Sequence, residues 1–432
     1  IAAAWAIVNP ENNERLSKLA VEETGLGNVK DKIIKNHRKT LGLLRDLQEA
    51  KTVGVIREIP EKGLVEIGRP AGVVGVIVPS TNPIATPMNN TLNALKCGNA
   101  IILAPSPKGQ PSCTRLLELI HTELDRIGAP RDLVQQLPVP VSKALSAEML
   151  KQVDLVVCTG SQNNVRAAYT SGTPAYGVGA GNVTVIVDET ADLAAAASKI
   201  KASKTFDNAT SCSSENSIII VDEVYDAMMA ELSKVNAALL SAQEKQQLQD
   251  TMWHDGHLNR DVLAKPVEDV CRVAGLNRDG LAQSDFLMVT ETEVGAEAPF
   301  CGEKMSLVLT VYRARDFAAA KLLASRVLDH QGKGHSLGIH TQDNSRPQEL
   351  GLEMPVCRVI VNQPHCFATG GSFDNGLPFS LSMGCGSWGG NITDENVHYK
   401  QYMNITRVVR TIEPREVTAD DIFADYKRKY LP

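Results

Sequence analysis

The sequence predicts an α/β fold made of two Rossmann-like, three-layer lobes and a β-hairpin arm. A chain of 432 residues is too long for one hydrophobic core, so at least two lobes are expected. From residue 72 onward, short apolar strands alternate with helices, which is typical of a parallel sheet covered on both faces. The same alternation begins again near residue 183, where a second lobe is expected to start.

The first lobe is predicted to begin with helices over residues 1–50. Asn9 followed by Pro10 fits an N-cap and a first-turn proline. Further along, apolar runs and amphipathic stretches predict a helix at 111–128 and strands at 72–80, 100–106 and 154–160. We assign residues 1–183 to a cofactor-binding domain.

A hairpin is predicted to interrupt this domain at residues 52–68. Two runs that alternate apolar and polar residues are separated there by the turn from Pro60 to Gly63. A hairpin of this kind stands outside the parallel sheet, because it pairs antiparallel strands through a short turn.

The second lobe is predicted from a strand at 183–189, a helix at 191–204 and a further strand and helix that begin at Ser214. Later apolar runs supply more strands. We assign residues 184–400 to a catalytic domain and residues 401–432 to a C-terminal arm segment.

Composition and charge exclude several classes of function. The net charge of −6 comes from 44 basic and 50 acidic side chains, which provides no basic surface for nucleic acid or a membrane. No apolar run approaches the ~20 residues that span a bilayer, and no signal-peptide pattern is present. The chain begins at Ile1 inside a predicted helix, so we expect further residues before it.

The nine cysteines are irregularly spaced and form no CxxC pair, which argues against disulfides and zinc. We therefore expect no metal site and a reducing, cytoplasmic location. Cys212 differs from the other eight because it lies among small polar residues just before an apolar strand, where a thiol stays accessible. A buried and unreactive thiol remains the alternative interpretation of Cys212.

Weaker signals mark one turn and two loops. Thr159, Gly160 and Ser161 follow a strand and open a helix, where backbone amides can bind a phosphate, although such turns also favour Gly and Ser for structural reasons. His335 and His365 lie in loops, and each histidine by itself is more typical of a hydrogen-bonded structural residue.

Several long segments, in the right order, resemble the CoA-acylating branch of the aldehyde dehydrogenase superfamily nearly end to end. The resemblance is greatest to the acylating sulfoacetaldehyde dehydrogenases. The segments are PSTNP (79–83), LKCGNAIILAPSPKG (95–109), AAYTSGTPAYGVGAGN (167–182), SKTFDNATSCSSEN (203–216), GEKMSL (302–307), GKGHS (332–336) and GCGSWGGN (384–391).

This resemblance implies roles for individual residues. Cys212 falls on the catalytic nucleophile, and His335 matches a histidine near the thioester. Asn82 is the candidate for holding the oxyanion, although the slot that hydrolytic members fill with asparagine is Thr81 here. The residues implied in cofactor binding are Glu303 at the nicotinamide ribose, Thr159, Gly160 and Ser161 under the pyrophosphate, and Ser106 and Lys108 at the adenine ribose.

Two departures from hydrolytic members bear on the reaction. Their water-activating glutamate is absent from residues 177–180, which read Gly-Val-Gly-Ala, so we expect a CoA thiol to take the acyl group. The carboxylate that selects NAD is also absent near Lys108, so we expect NADP to be accepted and leave the choice between NADP and NAD open.

The resemblance implies an aldehyde with a fixed negative charge, sulfoacetaldehyde, as substrate. A buried anion needs donors or a cation, and the loop at 362–371 and the residues before Cys212 offer such groups. The candidates are His365, Thr369, Thr210 and Ser211, with Asn362 and Gln363 beside them. An acylating dehydrogenase for acetaldehyde or propanal, a hydrolytic aldehyde dehydrogenase and a non-catalytic structural protein remain alternatives.

The resemblance also implies an oligomer. In the superfamily the hairpin and the C-terminal segment pair as an arm that extends the sheet of a partner chain. An arm with few contacts to its own lobes needs a partner to cover its apolar face. We therefore expect a homodimer or homotetramer whose other partners are small molecules, the aldehyde and CoA.

Overall fold

The structure, a computed structural model, describes residues 1–431. Fifteen α-helices lie within this range: α1 (Ala2–Val8), α2 (Pro10–Thr24), α3 (Val29–Gln48), α4 (Ala85–Lys96), α5 (Gln110–Arg126), α6 (Lys143–Gln152), α7 (Gln162–Thr170), α8 (Leu193–Thr205), α9 (Tyr225–Lys234), α10 (Ala242–Met252), α11 (Val267–Ala274), α12 (Phe317–His330), α13 (Ser345–Glu353), α14 (His365–Ala368) and α15 (Ala419–Tyr430).

Seventeen β-strands lie within the same residues, and all but two of them belong to three sheets. The strands are β1 (Gly54–Ile59), β2 (Leu64–Pro70), β3 (Val73–Val78), β4 (Ala100–Pro105), β5 (Val134–Gln136), β6 (Leu155–Thr159), β7 (Ala175–Val178), β8 (Val183–Val187), β9 (Glu215–Val221), β10 (Ala237–Leu239), β11 (Trp253–His254), β12 (His257–Leu258), β13 (Phe286–Thr290), β14 (Val308–Ala314), β15 (Leu337–His340), β16 (Val359–Val361) and β17 (Met403–Val409).

The first parallel sheet has five strands in the order β5-β4-β3-β6-β7. Within this sheet, β3 comes first in the sequence, and β4 and β5 follow on one side of it. The chain then crosses to the other side of β3, where it forms β6 and β7. This reversal leaves a crevice at the carboxyl ends of β3 and β6, the place where α/β sheets bind ligands. Helices cover the sheet, and apolar side chains such as Ile7, Leu16 and Leu43 fill its core.

The second parallel sheet has seven strands in the order β10-β13-β14-β9-β8-β15-β16. All seven residues of β9 are buried, because helices pack on both faces of this central strand. The residues before β9 therefore emerge from the middle of a rigid sheet, and Cys212 lies among them.

The arm is a separate antiparallel sheet in which β2 pairs with β1 on one side and β17 on the other. Its turn requires a glycine, because Gly63 has a φ of 60° and a Cβ there would lie 2.3 Å from the Arg410 carbonyl oxygen. Val55 and Val409 are exposed on the arm.

The fold class is confirmed, since both lobes are α/β units on parallel sheets. The Asn9 side chain caps α2 by accepting from the Asn12 backbone, as predicted. The short β11–β12 hairpin was not predicted. The domain boundaries at 183 and 400 and the role of the arm in an oligomer stay predictions. No helix within residues 1–431 is both long and apolar enough to cross a bilayer.

Candidate active site

Cys212 lies in a tight turn directly before β9, in which the Ser214 amide donates to the Ser211 carbonyl at 3.0 Å. Cys212 is half-buried, whereas seven of the other eight cysteines are buried. All nine cysteines have free thiols. The turn therefore holds a half-buried cysteine directly before a rigid strand.

The glycine-rich loop after β7 packs against this turn. A Cβ on Gly181 would lie 2.3 Å from the Cys212 carbonyl oxygen and 3.1 Å from Cδ2 of His335. No side chain larger than hydrogen fits there, so Gly181 brings the Cys212 backbone and the His335 ring to the same point. The structure thus places these two predicted residues side by side.

The segment that leads into the Cys212 turn is strained. Asp207, Asn208 and Ala209 have φ values of 50°, 51° and 60°, a region that residues other than glycine seldom adopt. Three such residues in a row persist only when surrounding contacts hold them, and strain of this kind is often found at functional sites.

The Asp207 carboxylate supplies those contacts. It accepts hydrogen bonds from the Asn28 amide at 2.9 Å, the Lys32 ammonium at 3.1 Å and the Lys35 ammonium at 2.5 Å. Thr210 donates its hydroxyl proton to the same carboxylate at 2.8 Å. Burial raises the pKa of Asp207, but Lys35 and Lys32 outweigh it and hold the pKa below the usual value. The carboxylate therefore stays ionised and fixes the turn.

Lys35 extends this network to Asn82. Its ammonium donates to Asn82 Oδ1 at 2.9 Å and to Thr210 Oγ1 at 3.2 Å. A lysine can only donate, so the Asn82 oxygen must face it and the amide NH₂ must point the other way. None of residues 1–431 accepts a hydrogen bond from that NH₂, which leaves it free to hold an oxyanion.

Glu303 is an acidic residue that affects the Cys212 thiol. Gln331 accepts from the Glu303 amide at 2.9 Å and Asn216 accepts from the Lys304 amide at 3.0 Å, so the segment is fixed at two successive residues. Burial raises the pKa of Glu303 to about 8, although Lys304 and Lys204 act in the opposite direction. The Glu303 carboxylate accepts no hydrogen bond from residues 1–431.

The Cys212 thiol is protonated in this state. Burial raises its pKa to about 12, and Glu303 and Cys385 add to the effect, whereas the Ser213 hydroxyl lowers it. A nucleophilic thiolate therefore requires a change at the site, such as the arrival of a positive charge.

His335 is buried and neutral. Burial lowers its pKa to about 3, and the nearby Arg358 contributes. Its Nδ1 lies 2.7 Å from the Ser336 hydroxyl, whose oxygen is 2.8 Å from Nε2 of His365. The Nε2 of His335 is buried without a partner among the described residues.

The Ser336 hydroxyl couples the protonation of the two rings. It has one proton, so it can donate to only one of the two imidazole nitrogens, and the other nitrogen must donate to it. When Nδ1 of His335 donates, Nε2 of His335 has a free lone pair and can act as a base. Burial also lowers the pKa of His365 well below its usual value.

The predicted cofactor residues line the carboxyl edge of the five-stranded sheet. Ser106 and exposed Lys108 follow β4, and Thr159, Gly160 and Ser161 follow β6. Ser161 caps α7 by accepting from the Asn164 amide at 3.4 Å, and the first turn of that helix faces the crevice. Backbone amides at such a helix start suit a phosphate.

A cavity of about 400 Å³ lies beside this edge, lined in part by Gln162, Gly179, Ala180, Gln331 and Cys385. Gln162, the residue after Ser161, lines this cavity, and so does Gln331, which accepts from the Glu303 amide. The donor set fits a dinucleotide, because a helix start is available for phosphate and the Glu303 carboxylate is free to accept from ribose hydroxyls.

The predicted substrate residues have internal partners. Thr369 is buried and donates to the His365 carbonyl at 2.8 Å, and Asn362 bonds both the amide and the carbonyl of Thr341 at 3.0 and 2.7 Å. Gln363 accepts from Asn375 at 3.0 Å. Ser211 and Thr210 do lie next to Cys212. The substrate roles of His365, Thr369, Thr210 and Ser211 stay predictions.

The loop that replaces the water-activating segment of hydrolytic members has no carboxylate at 177–180. Val178 is 3% exposed and belongs to the core of the five-stranded lobe. Within residues 1–431, no group of three or more His, Cys, Asp or Glu side chains could hold a metal ion.

Sequence reasoning missed Lys32, Lys35, Asp207 and Ser336. Asp207 and Lys35 are 172 positions apart, so no local pattern links them. The one available signal was the spacing of lysines along α3, which places Lys32 and Lys35 on a single helix face.

Comparison with known proteins identifies the family of this chain. The model of the aldehyde dehydrogenase family matches residues 3–259. The acylating sulfoacetaldehyde dehydrogenase of Cupriavidus necator is 56% identical over 98% of this chain and 86% of its own length.

Solved structures with a similar fold belong to the same family. An acetylating aldehyde dehydrogenase from Geobacillus thermoglucosidasius superposes with a TM-score of 0.92 at 35% identity, over 96% of this chain and 92% of its own. The propionaldehyde dehydrogenase of Rhodopseudomonas palustris, solved with bound CoA and an acylated cysteine, gives a TM-score of 0.83 at 26% identity over 95% and 90%. The chain therefore belongs to the aldehyde dehydrogenase family.

Proposed function

We propose that the protein oxidises sulfoacetaldehyde, with NADP or NAD and CoA, to sulfoacetyl-CoA through a thioester on Cys212. The observation that carries this proposal is the half-buried Cys212 in its tight turn, with neutral His335 beside it and no carboxylate at residues 177–180. The name of the Cupriavidus necator relative supports the substrate. The CoA and acylated cysteine of the Rhodopseudomonas palustris structure support the thioester and its acceptor.

In the first half of the reaction the Cys212 thiol releases its proton to solvent, and its sulfur forms a bond to the aldehyde carbon as the C=O π bond breaks. The carbonyl oxygen becomes an oxyanion, which the free NH₂ of Asn82 stabilises while Lys35 holds the amide in place. A bound NADP or NAD would supply the acceptor for the hydride of that carbon, and the positive charge of its nicotinamide would favour the Cys212 thiolate. Glu303 orients the cofactor by accepting from the ribose.

The second half transfers the acyl group. The CoA thiol loses its proton to Nε2 of His335, and the resulting thiolate attacks the thioester carbon. The bond to Cys212 breaks and the thiolate of Cys212 returns. Water competes poorly, because residues 177–180 supply no carboxylate to deprotonate it.

The cofactor lies along the carboxyl edge of the five-stranded sheet in this proposal. Thr159, Gly160 and Ser161 bind the pyrophosphate, and Ser106 and Lys108 meet the adenine ribose. Exposed Lys108 can pair with a 2′-phosphate, so both NADP and NAD are accepted.

The exposed arm supports an oligomer, and the unpaired thiols support a cytoplasmic location. We place the arm formed by β1, β2 and β17 in a homodimer or homotetramer, where a partner covers its exposed Val55 and Val409. Nine unpaired thiols suit the reducing cytoplasm.

The test is a panel of sulfoacetaldehyde, acetaldehyde and propanal, assayed for cofactor reduction with and without CoA. We expect sulfoacetaldehyde to have the highest kcat/KM, by at least about tenfold, and CoA-free reactions to stop after one turnover per site. Equal efficiencies would instead indicate a general acylating dehydrogenase. Steady turnover to free acid would indicate a hydrolytic one, and no turnover a structural protein.

A further inference from the structure

Three lysines follow one face of helix α3 at a spacing of three and four residues: Lys32, Lys35 and Lys39. Lys32 and Lys35 share one counter-ion, the buried carboxylate of Asp207. Lys39 has no such partner, because no carboxylate of residues 1–431 lies within ion-pair distance of its ammonium. This face of α3 therefore has more positive than negative charge.

The Lys39 ammonium is held in place but not neutralised. It donates one hydrogen bond, at 2.7 Å, to the carbonyl of Gly370, and it lies 5.4 Å from the centre of the Phe379 ring. Two of its three protons have no acceptor among the described residues. Gly370 has no side chain to cover it, since a Cβ there would lie 2.7 Å from the ammonium nitrogen. A partly buried cation without a counter-ion costs free energy unless an anion joins it.

The position of Lys39 connects it to the reaction. Lys39 lies about one helical turn after Lys35, whose ammonium donates to the hydroxyl of Thr210 at 3.2 Å, and Thr210 precedes Cys212 by two residues. The Gly370 carbonyl that accepts from Lys39 lies just after α14, so the ammonium is held between α3 and the loop that follows α14. An anionic group bound by Lys39 would therefore belong to a molecule that has its charge close to the carbon that Cys212 attacks.

Arg38, the neighbouring cation, is different because it already has an anion nearby. Its guanidinium donates to the Ser372 hydroxyl at 2.5 Å and lines a cavity of about 140 Å³ together with Asp374. It also lies 5.1 Å from the centre of the Phe373 ring. The Asp374 carboxylate lines the same cavity as Arg38, although beyond ion-pair distance, so the space beside Arg38 already contains a negative charge.

We infer that Lys39 binds the sulfonate of the substrate and so determines specificity for an anionic aldehyde. This inference rests on the proposed function. In sulfoacetaldehyde one carbon separates the sulfonate from the carbonyl, so an aldehyde in contact with Cys212 keeps its charge close to that thiol. The phosphates of CoA do not fit this description, because they lie at the far end of the pantetheine arm from the reacting sulfur.

The charge on Lys39 can be tested with Lys39→Gln, which keeps a polar side chain of similar length. We expect the ratio of kcat/KM for sulfoacetaldehyde to kcat/KM for propanal to fall at least about tenfold, equivalent to ~1.4 kcal/mol. Lys39→Arg should retain most of the ratio, since it restores a cation. Lys30→Met is the matched control, because it removes an exposed charge from the same helix and should leave the ratio unchanged.

A second measurement uses the unmodified protein and so does not depend on a variant folding. Ethanesulfonate, an unreactive sulfonate, should compete with the aldehyde. It should also protect Lys39, but not Lys30, from acetylation by acetic anhydride, as measured by mass spectrometry of peptides. Acetylation of Lys39 at the same rate with and without saturating ethanesulfonate would overturn the inference.

The outcomes separate this inference from the proposed function. If the unmodified protein prefers sulfoacetaldehyde and Lys39→Gln keeps that preference, the sulfonate is bound elsewhere and the inference is wrong. If the unmodified protein shows no preference, the proposed substrate is wrong. A rise in KM for CoA with an unchanged aldehyde ratio in Lys39→Gln would assign Lys39 to CoA and would also overturn the inference.

Discussion

The proposed function assigns the Cys212 turn and the carboxyl edge of the five-stranded sheet to one site, and the two regions are built differently. The turn is held by a buried carboxylate with four donors and by three residues in left-handed conformations. The edge consists of loops after β4 and β6 whose groups, such as exposed Lys108, have few partners within the protein.

This contrast separates the part that does chemistry from the part that receives a ligand. A reacting sulfur must be held within a fraction of an ångström, which requires a rigid surrounding network. A cofactor that enters and leaves needs donors that remain free until it arrives. We therefore expect substitutions in the turn to have large effects and substitutions at the edge to have small ones.

The largest expected effect is the loss of turnover in Cys212→Ala, by at least about 10³-fold, because no other group can form the thioester. Cofactor reduction with sulfoacetaldehyde and CoA measures it. Cys158→Ala, which alters a buried thiol, is the control. Appreciable turnover in Cys212→Ala would show that the turn is not the reacting region.

Asp207→Asn should lower the free energy of unfolding by about 3–5 kcal/mol, because it leaves the buried ammonium groups of Lys32 and Lys35 without a counter-ion. The shift of the urea midpoint measures it. Asp279→Asn, at an exposed position, is the control and should change the midpoint little. Similar midpoints for both variants would mean that the Asp207 network does not stabilise the turn.

His335→Ala should slow steady-state turnover by about 10²-fold and leave the first turnover of cofactor reduction intact, since only the CoA step needs this base. Rapid-mixing measurements of the burst and of the steady rate distinguish the two steps. Ser336→Ala should show the same pattern to a smaller degree, because it removes the partner of Nδ1. A burst that disappears in His335→Ala would place the histidine in the first half of the reaction.

Preference for the sulfonated aldehyde should decrease at high pH. Burial lowers the pKa of Lys39 to about 8; the positive charges of Arg38 and Lys35 act in the same direction, while Cys366 and Cys212 oppose it. The cation is present below that pKa and is lost as pH rises through it. The ratio of kcat/KM for sulfoacetaldehyde to that for propanal should therefore fall about tenfold between roughly pH 7 and pH 9. Titration of Cys212 and Glu303 affects both aldehydes alike, so it cancels in the ratio to propanal. A ratio that stays constant between these pH values would contradict the prediction.

The smallest expected effect is at the sheet edge. Lys108→Ala should reduce the preference for NADP over NAD by about two- to fivefold, the size of one exposed ion pair. The ratio of kcat/KM for the two cofactors measures it, with Lys143→Ala, another exposed lysine of this lobe, as the control. A change above about fiftyfold would mean that the edge is as rigidly organised as the turn.

The edge of the sheet could be predicted from sequence because local patterns determine it. Short apolar strands followed by Ser106 or by Thr159 to Ser161 specify both the sheet and the loops that end it. The position of Cys212 before β9 was predictable for the same reason.

The network around Cys212 could not be predicted in this way. Asp207 reads as one more polar residue in a loop, and its role depends on lysines from a helix at the other end of the chain. The contact between Nε2 of His365 and the Ser336 hydroxyl was not predictable either, since 29 positions separate the two residues. Contacts of this kind arise only when distant segments pack together.

The glycine-rich loop after β7 also restricts how this enzyme could change in evolution. A carboxylate at 181 would collide with the Cys212 backbone, one at 177 would meet Val165 at 2.7 Å, and one at 178 would enter the core. Positions 179 and 180 remain, since Gly179 faces only the flexible end of Gln162 and Ala180 lines the large cavity. A carboxylate that activates water could therefore be introduced here only at position 179 or 180, whereas one at 177, 178 or 181 would disturb the packing around it.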